Sequence, residues 1–372
     1  MDIVTDLDGN YEELVNLNLK NEYKKIIEDT LVKLKDYNLT VDPTRAKYMV
    51  ISKGLSTAAK VVIKIEGLYP FLAKIDKKNN TDKEYEGYQN LQFHIDSANL
   101  LSFIAYEKSE QTGLLLFRYI TKGRVKYQYE RFDTFLNSVD LLHINEEIIN
   151  LVDNIFDSTF KKCHWGDGHP NMHHIKFKPF EDFIFDDNFF NAEQLNDIEQ
   201  SYIANIQKCE YIYAPHGRIH GDLHPKNILI GMNNIPIIID FTHVKTDACI
   251  FKDYAKLETF FLFQVPNKFS SRFFEKDVKQ TLFERHYSVE PLILPRSVHN
   301  PISRVIQEIR TLLWKNCLSL TINMNYHDID AIYRAYLTYY FIQLCRRAGV
   351  EENTRKRAYK GICYLSGIIY HN

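Results

Sequence analysis

Apolar and polar residues alternate along this chain with two different periods, and the period changes from region to region. Between residues 11 and 37, Leu14, Leu17, Leu19, Ile26, Ile27, Leu31 and Leu34 recur near helical spacing among Glu, Lys and Asn, which predicts a helix. Asp42-Pro43 breaks that pattern. From Ala46 the texture is that of strands, at residues 48–52, 60–66 and 71–75, with Lys53-Gly54 and Gly67 as the turns between them. A helix is predicted at about residues 82–93, followed by two apolar runs at 100–106 and 114–120. After Thr121-Lys122-Gly123 the periodicity is mainly helical. The stretch 161–188, dense in His, Pro, Asp and Phe, reads as a long loop. Two short strands at 227–231 and 235–240 bracket the turn Met232-Asn233-Asn234. Beyond Lys252 helical spacing returns and ends in the aromatic-rich segment 333–347.

A β-rich first part and an α-rich second part predict an α+β fold, and 372 residues suit two lobes. The divisions read as a helical extension over 1–44, an N-lobe over 45–120 and a C-lobe over 121–372. The extension has two readings, packing in cis on the N-lobe or offering its Leu and Ile positions to a protein partner. A hydrophobic share of 45% with 25% charged residues argues for a folded chain. Net charge is only -2, so no general basic field for nucleic acid is expected. The basic residues Arg346, Arg347, Arg355, Lys356, Arg357 and Lys360 read as a solvated helix face. Six cysteines stand singly with no CxxC pair, which fits reduced thiols. The acidic N-terminus and the lack of any 18-residue apolar run predict a cytoplasmic protein with no membrane span.

Chemistry concentrates in His220-Gly221-Asp222-Leu223-His224-Pro225-Lys226-Asn227, followed by Ile-Leu-Ile and then by Ile237-Ile238-Ile239-Asp240. An aspartate and an asparagine five residues apart can flank a phosphoryl-transfer centre, the first near the attacking hydroxyl and the second offering an amide oxygen to a metal. A further aspartate at the end of an apolar strand can chelate Mg²⁺ bridging nucleotide phosphates. The bland alternative is a buried hairpin with polar turn residues.

This string resembles the catalytic loop of the aminoglycoside phosphotransferase and choline kinase group, the small-molecule branch of the protein-kinase-like fold. The resemblance implies a bilobal kinase-like architecture, Asp222 as catalytic base, His220 as support for the loop backbone, and Asn227 and Asp240 as metal ligands. The chain reads Asp240-Phe241-Thr242 where protein kinases have Asp-Phe-Gly, and no Ala-Pro-Glu follows. Both departures point to the small-molecule branch. Lys252-Asp253-Tyr254-Ala255 matches that group's Asp-Leu-Ala segment, which implies that Asp253 caps a helix and braces the loop. More loosely, the stretch from Lys252 through Glu258 is similar to bacterial conflict-system-associated phosphotransferase domains.

Upstream, Gly54, Ser56 and Thr57 lie between two strands, where a phosphate-covering loop is expected. Lys74, in the apolar strand Phe71-Leu72-Ala73-Lys74-Ile75, reads either as a phosphate-pairing lysine or as an edge-strand lysine facing water. Glu84 and Glu86 are its candidate partners on the following helix, with Glu84 favoured. Thr81-Asp82-Lys83-Glu84 is also a capping box, which would commit Glu84 to its own helix start. Leu114 to Ile120, with Phe117 and Tyr119, falls where a hinge binding the nucleobase is expected.

His164-Trp165-Gly166-Asp167-Gly168-His169-Pro170-Asn171 imitates the catalytic string but spaces its Asp and Asn four apart. Cys163, His164, His169, His173 and His174 leave zinc open as one reading of that stretch, although finger-type paired spacing is missing. A loop over the acceptor is the other. The expectation for the whole chain is an ATP- or GTP-dependent phosphotransferase using Mg²⁺, acting on an unidentified hydroxylated small molecule. The alternatives are a kinase-fold binding module without turnover and a protein-modifying kinase or nucleotidyltransferase.

Overall fold

The β texture after residue 46 becomes a five-stranded sheet whose central strands each offer one mainly apolar face. In the computed structural model, which describes residues 21–37, 41–51, 58–68, 70–118, 130–138, 146–166, 176–179, 213–231, 234–263, 301–319, 326–346 and 350–365, the strands are β1 (Lys47–Ile51), β2 (Ala59–Lys64), β3 (Phe71–Lys77), β4 (Phe103–Lys108) and β5 (Thr112–Arg118). They pair antiparallel in the order β1-β2-β3-β5-β4. Helix α1 (Asn21–Lys33) lies against one face of this sheet. Its Ile26, Ile27 and Leu31 join Val61, Ile63, Phe71, Ala73, Ile75, Leu114 and Leu116 in one apolar cluster. The described part of the N-terminal helix therefore packs in cis, and its tip is tied down by Lys33 pairing with Glu107 of β4 at 2.5 Å.

Helix α2 (Lys78–Leu91) begins directly where β3 ends. Thr81 thus lies inside its first turn and its hydroxyl donates back to the Lys78 carbonyl at 2.8 Å, so Thr81 is not an N-cap and the capping-box reading of Glu84 is set aside. Past β5, the short β6 (Glu130–Arg131) leads into α3 (Phe132–Ser138). Strand β6 joins β9 (Ile228–Ile230) and β10 (Pro236–Ile238) in a second sheet, ordered β10-β9-β6. The Asn99 amide donates to the Pro236 carbonyl at 2.8 Å and anchors β10 to the segment after α2.

The described residues fall into two compact units. One draws on Met1–Phe135 and Lys226–Val244, the other on Leu136–Pro225 and Lys245–Asn372. The second unit is mainly helical. In it α4 (Glu146–Asp153) runs on through a π-helical turn at Asn154–Thr159 to the short α5 (Lys161–Trp165). A three-stranded sheet of β7 (Lys176–Pro179), β8 (Tyr213–Ile219) and β11 (Lys245–Cys249) is ordered β11-β8-β7. Helix α6 (Phe251–Phe263) is buried at every position except Lys252 and Lys256. Around it pack α7 (Pro301–Ser319) and α8 (Tyr326–Arg346), with α9 (Glu352–Leu365) on α8.

The stretch 161–188, read from the sequence as a loop, instead contains a helical turn at α5 and a strand at β7. Both owe their form to tertiary partners: β7 exists through its ladder with β8, and α5 packs on β8 at Gly217, where a Cβ would meet the His164 carbonyl at 2.4 Å. No described helix is long and apolar enough to cross a membrane.

One buried ion cluster fixes the helices of the second unit. Arg310 of α7 donates to both carboxylate oxygens of Glu258 on α6, at 2.6 and 3.1 Å, and the Tyr333 hydroxyl of α8 donates to the same carboxylate at 2.6 Å. Glu258 is fully buried, so removing its cation strands a charge. Arg310→Ala is expected to lower the unfolding free energy by about 3–5 kcal/mol, measured by chemical denaturation. A change under ~1 kcal/mol would show that the cluster adds little to helix packing.

Candidate active site

The sheet of the first unit has two chemically different faces. Odd-numbered residues of β2 and β3 face α1, so strand alternation turns Lys60, Val62, Leu72 and Lys74 to the opposite face. On that face Lys74 Nζ lies 2.5 Å from Glu84 of α2 and 3.6 Å from the Asp240 carboxylate. Burial alone would lower the Lys74 pKa, but the Glu84 and Asp240 carboxylates outweigh it and hold it above the ordinary lysine value. Glu84 is the nearer of the two carboxylates that Lys74 meets.

Asp240 reaches this group through a close backbone approach. One turn beyond Glu84, Gly87 faces the Phe241 backbone, and a Cβ there would sit 2.0 Å from the Phe241 carbonyl oxygen. Only glycine lets the Asp240-Phe241 segment lie on α2. Asp240 itself has φ +64°, a left-handed conformation that costs most residues on the order of 1 kcal/mol and that Asp tolerates better. Its carboxylate accepts a bond from the Thr242 hydroxyl at 2.8 Å. Across the β9-β10 hairpin the Ile239 N–H donates to the Asn227 carbonyl at 3.0 Å, which sets Asn227 opposite the residue before Asp240. An amide oxygen and a carboxylate on one hairpin are the hard donors that Mg²⁺ takes, with water completing its shell, so the donor set fits that ion.

The second unit holds the rest of the string. Asp253, fully buried on α6, accepts from the backbone N–H groups of His220 at 2.8 Å and Gly221 at 2.9 Å, and its Oδ2 also meets His164 Nε2 at 3.0 Å. Burial pushes the Asp253 carboxyl upward, but the bond from His164 and these amides outweighs it, so the pKa lies below the ordinary carboxylate value. His220 Nδ1 accepts a long bond from the Asp222 N–H, 3.4 Å. Asp222 has both oxygens engaged: Lys256 Nζ lies 3.0 Å from Oδ1 and His224 Nε2 lies 3.3 Å from Oδ2. Burial would raise the Asp222 pKa, yet His224 and Lys256 hold it well below the usual carboxylate range. His224 in turn stacks on Phe260, and Lys256 lies 4.7 Å over the Tyr340 ring. Asp253, Lys256 and Phe260 are three and then four residues apart, so one face of α6 holds the loop backbone, the carboxylate and the histidine.

With this geometry in view, comparison with known proteins is informative at one place. Residues 178–250 match the model of the phosphotransferase enzyme family. That match contains His220, Asp222, Asn227 and Asp240. No curated protein matches the chain in sequence. Among solved structures the chain is similar to an amicoumacin kinase in complex with AMP-PNP and Ca²⁺, at 11% identity over 94% of this chain and 96% of that one, with a TM-score of 0.49. It is also similar to a spectinomycin phosphotransferase in complex with ADP and spectinomycin, at 11% identity over 92% and 94%, TM-score 0.46. A choline kinase from Streptococcus pneumoniae aligns at 13% identity over 90% and 98%, TM-score 0.42.

The phosphotransferase-like string thus has its anionic and metal-binding candidates in two groups, Lys74, Glu84, Asn227 and Asp240 in the first unit and His220 and Asp222 in the second. Phe117 is buried on β5 beside Leu72 of β3. Gly54, Ser56, Thr57 and Tyr119 lie outside the described residues, as do His169, His173 and His174. Of the remaining zinc candidates, His164 is committed to Asp253, and burial raises the Cys163 thiol to about 12, which disfavours the thiolate a metal needs. Among the described residues no group of three or more potential metal ligands occurs. Sequence reading did not find the roles of His164, His224 and Lys256 as partners of the Asp253 and Asp222 carboxylates. The spacing of Lys256 from Asp253 was the available signal for the last of these, since residues three apart share a helix face.

Asp253→Ala leaves two amide donors and His164 without their buried acceptor and is expected to cost about 3–5 kcal/mol by chemical denaturation. Because the folded pKa is depressed, Asp253 contributes its stability above the unfolded carboxylate pKa of about 4 and loses it as pH falls through the folded value. Asp253→Asn should therefore flatten part of the acid limb of stability against pH, and an unchanged limb would contradict the assignment. Gly87→Ala should lower stability by about 1–3 kcal/mol through collision with the Phe241 backbone; a wild-type denaturation midpoint would show the approach to be loose.

Proposed function

We propose that this protein is a phosphotransferase that moves the γ-phosphate of a nucleoside triphosphate, ATP or GTP, to a hydroxyl of a small molecule. The observation that carries the reading is the pairing of Lys74 with Glu84 and Asp240 in the first unit, and the second unit separately holds Asp222 against Lys256 and His224. Lys74 has two carboxylates, one of them partly exposed on a left-handed residue, which suits a group that exchanges partners when an anion and a metal arrive.

In the reaction the acceptor oxygen forms a bond to the γ-phosphorus as the β–γ bridging P–O bond breaks. The hydroxyl proton passes to Asp222 and the nucleoside diphosphate leaves with the bridging oxygen. Lys256 and His224 keep Asp222 deprotonated and fix the direction of its oxygens. Asp253 prevents the loop backbone from rotating, and His220 supports the Asp222 N–H. Lys74, oriented by Glu84, neutralises charge on the α- and β-phosphates. A magnesium ion held by the Asn227 amide oxygen and the Asp240 carboxylate would supply further neutralisation of the phosphates. Gly54, Ser56 and Thr57 would cover those phosphates, and the backbone near Phe117 and Tyr119 would take the nucleobase.

Thermal unfolding of the full chain tests this directly. ATP or GTP at a hundred times its dissociation constant should add about 2.7 kcal/mol of stability, with Mg²⁺ required and the shift lost in Asp240→Ala. Asp222→Asn should keep the shift while losing transfer of the γ-label to acceptors in a cell extract. Absence of any shift with either nucleotide would overturn the enzyme reading, and transfer by Asp222→Asn at the wild-type rate would remove Asp222 from the chemistry.

A further inference from the structure

The face of the first sheet that carries Lys74 carries a second ammonium that the proposed reaction has not used. Lys60 on β2 pairs in register with Lys74 on β3, so the two lysines stand directly opposite each other on neighbouring strands. Directly opposed residues have their Cα atoms about 5 Å apart, and like charges at that spacing disfavour the pairing. Lys60 is also buried, with 6% of its surface exposed. Lys74 answers its burial with Glu84 and Asp240, whereas Lys60 has no ion pair or hydrogen bond among the described residues. Burial, and then the neighbouring Lys74 charge, pull its pKa to about 8.

A buried ammonium with no acceptor is costly, and an apolar residue at that position would be the cheaper way to fill the space. The two neighbours of Lys60 on its own strand, Ala59 and Val61, are apolar, and so is Val62, the next residue on the same face. The face around it is otherwise Val62, Leu72, Leu115 and Phe117, which contribute no anion. Glu84 is already 2.5 Å from Lys74, and Asp240 is turned to Lys74 and Thr242. Among the described residues no acceptor remains for Lys60, and an added anion is the partner its position suits. Two ammonium groups one ladder step apart match non-bridging oxygens on adjacent phosphates of one polyphosphate. A single carboxylate would leave one of the two lysines unanswered.

We infer that Lys60 is a second phosphate-binding cation, which together with Lys74 grips the polyphosphate of the nucleotide and sets the preference for di- and triphosphates over monophosphates. This rests on the nucleotide-binding reading proposed above. Glu84 and Asp240 already balance Lys74, so Lys60 brings the positive charge that the ligand answers. Its position three residues beyond Thr57 places it at the end of the segment predicted to cover the phosphates.

Isothermal titration of the full chain with adenosine, AMP, ADP and ATP, each with Mg²⁺, tests the inference on wild type, Lys60→Met, Lys60→Gln and Lys60→Arg. Lys60→Met should weaken ADP and ATP at least tenfold while leaving adenosine within twofold, and Lys60→Arg should recover most of the loss. Without ligand, Lys60→Met should unfold at a temperature equal to or above wild type, because a buried unpaired charge has been removed. Lys60→Gln carries the same comparison should the Met variant fold poorly. Wild-type ATP and ADP affinity in both neutral variants overturns the role of Lys60 while leaving the nucleotide reading intact. A wild-type protein that binds none of the four ligands overturns the nucleotide reading, and this inference with it.

Discussion

The arrangement of the second unit hangs on one carboxylate that never meets water. Asp253 gathers two backbone amides and an imidazole at a fully buried point on α6, and each of those donors would otherwise be an unsatisfied polar group in the core. The strength of such charge-assisted bonds in a dry environment is what lets a three-residue loop, His220 to Asp222, keep one backbone path. Because the same helix face continues to Lys256 and Phe260, the direction of Asp222 and the seat of His224 are set by a single rigid element. Catalytic carboxylates placed on loops gain precision only when something stiff stands behind them. Here that element is α6, itself pinned to α7 and α8 by Glu258, Arg310 and Tyr333.

In the first unit the equivalent constraint is steric. Glu84 and Gly87 are one turn apart on α2, so the residue that orients Lys74 and the one that admits the Asp240 segment move together. A helix shift that opened one contact would open the other. That coupling explains why the Lys74 group is compact although its members come from β3, α2 and the end of β10, far apart in sequence. Packing of α1 on the reverse face, through Ile26, Ile27 and Leu31, stabilises the sheet without intruding on this group.

Much of this was legible in the sequence, and the illegible part has physical causes. Strands β1 to β5 and helix α2 announce themselves through local periodicity, and the His-Gly-Asp string carries its spacing on its face. Strands β7, β8 and β11 do not. Their ladder joins residues as far apart as Lys176 and His216, and Pro215 and Gly217 inside β8 argue locally against a strand. Glu84 was ambiguous because its role depends on where α2 begins, and the helix starts three residues before Thr81 since β3 feeds straight into it. His164 looked like part of a decoy string. Its partner, Asp253, is 89 residues away, and no local pattern reports a contact at that separation. Lys74 was visible as a lysine in an apolar strand, but only the β2-β3 register shows that Lys60 faces it.

Several features that cost stability gather at one place in the first unit. Among the described residues of the first unit, Lys60 and the doubly engaged Lys74 share the sheet face away from α1, and the left-handed Asp240 reaches Lys74 there, while the α1 face is lined mainly by apolar side chains. Selection for stability alone would treat both faces alike, since a buried charge is as unfavourable on one side of a sheet as on the other. The asymmetry is what the proposed nucleotide site would leave in a fold without its ligand. On the proposed reading, an anion with several negative oxygens, accompanied by a hard cation, would satisfy all three residues at once: it would answer Lys60, share Lys74 and draw Asp240 away from it. The energy cost of the unliganded sheet then becomes differential affinity for that ligand, which is how a binding face can be costly to fold and still be retained.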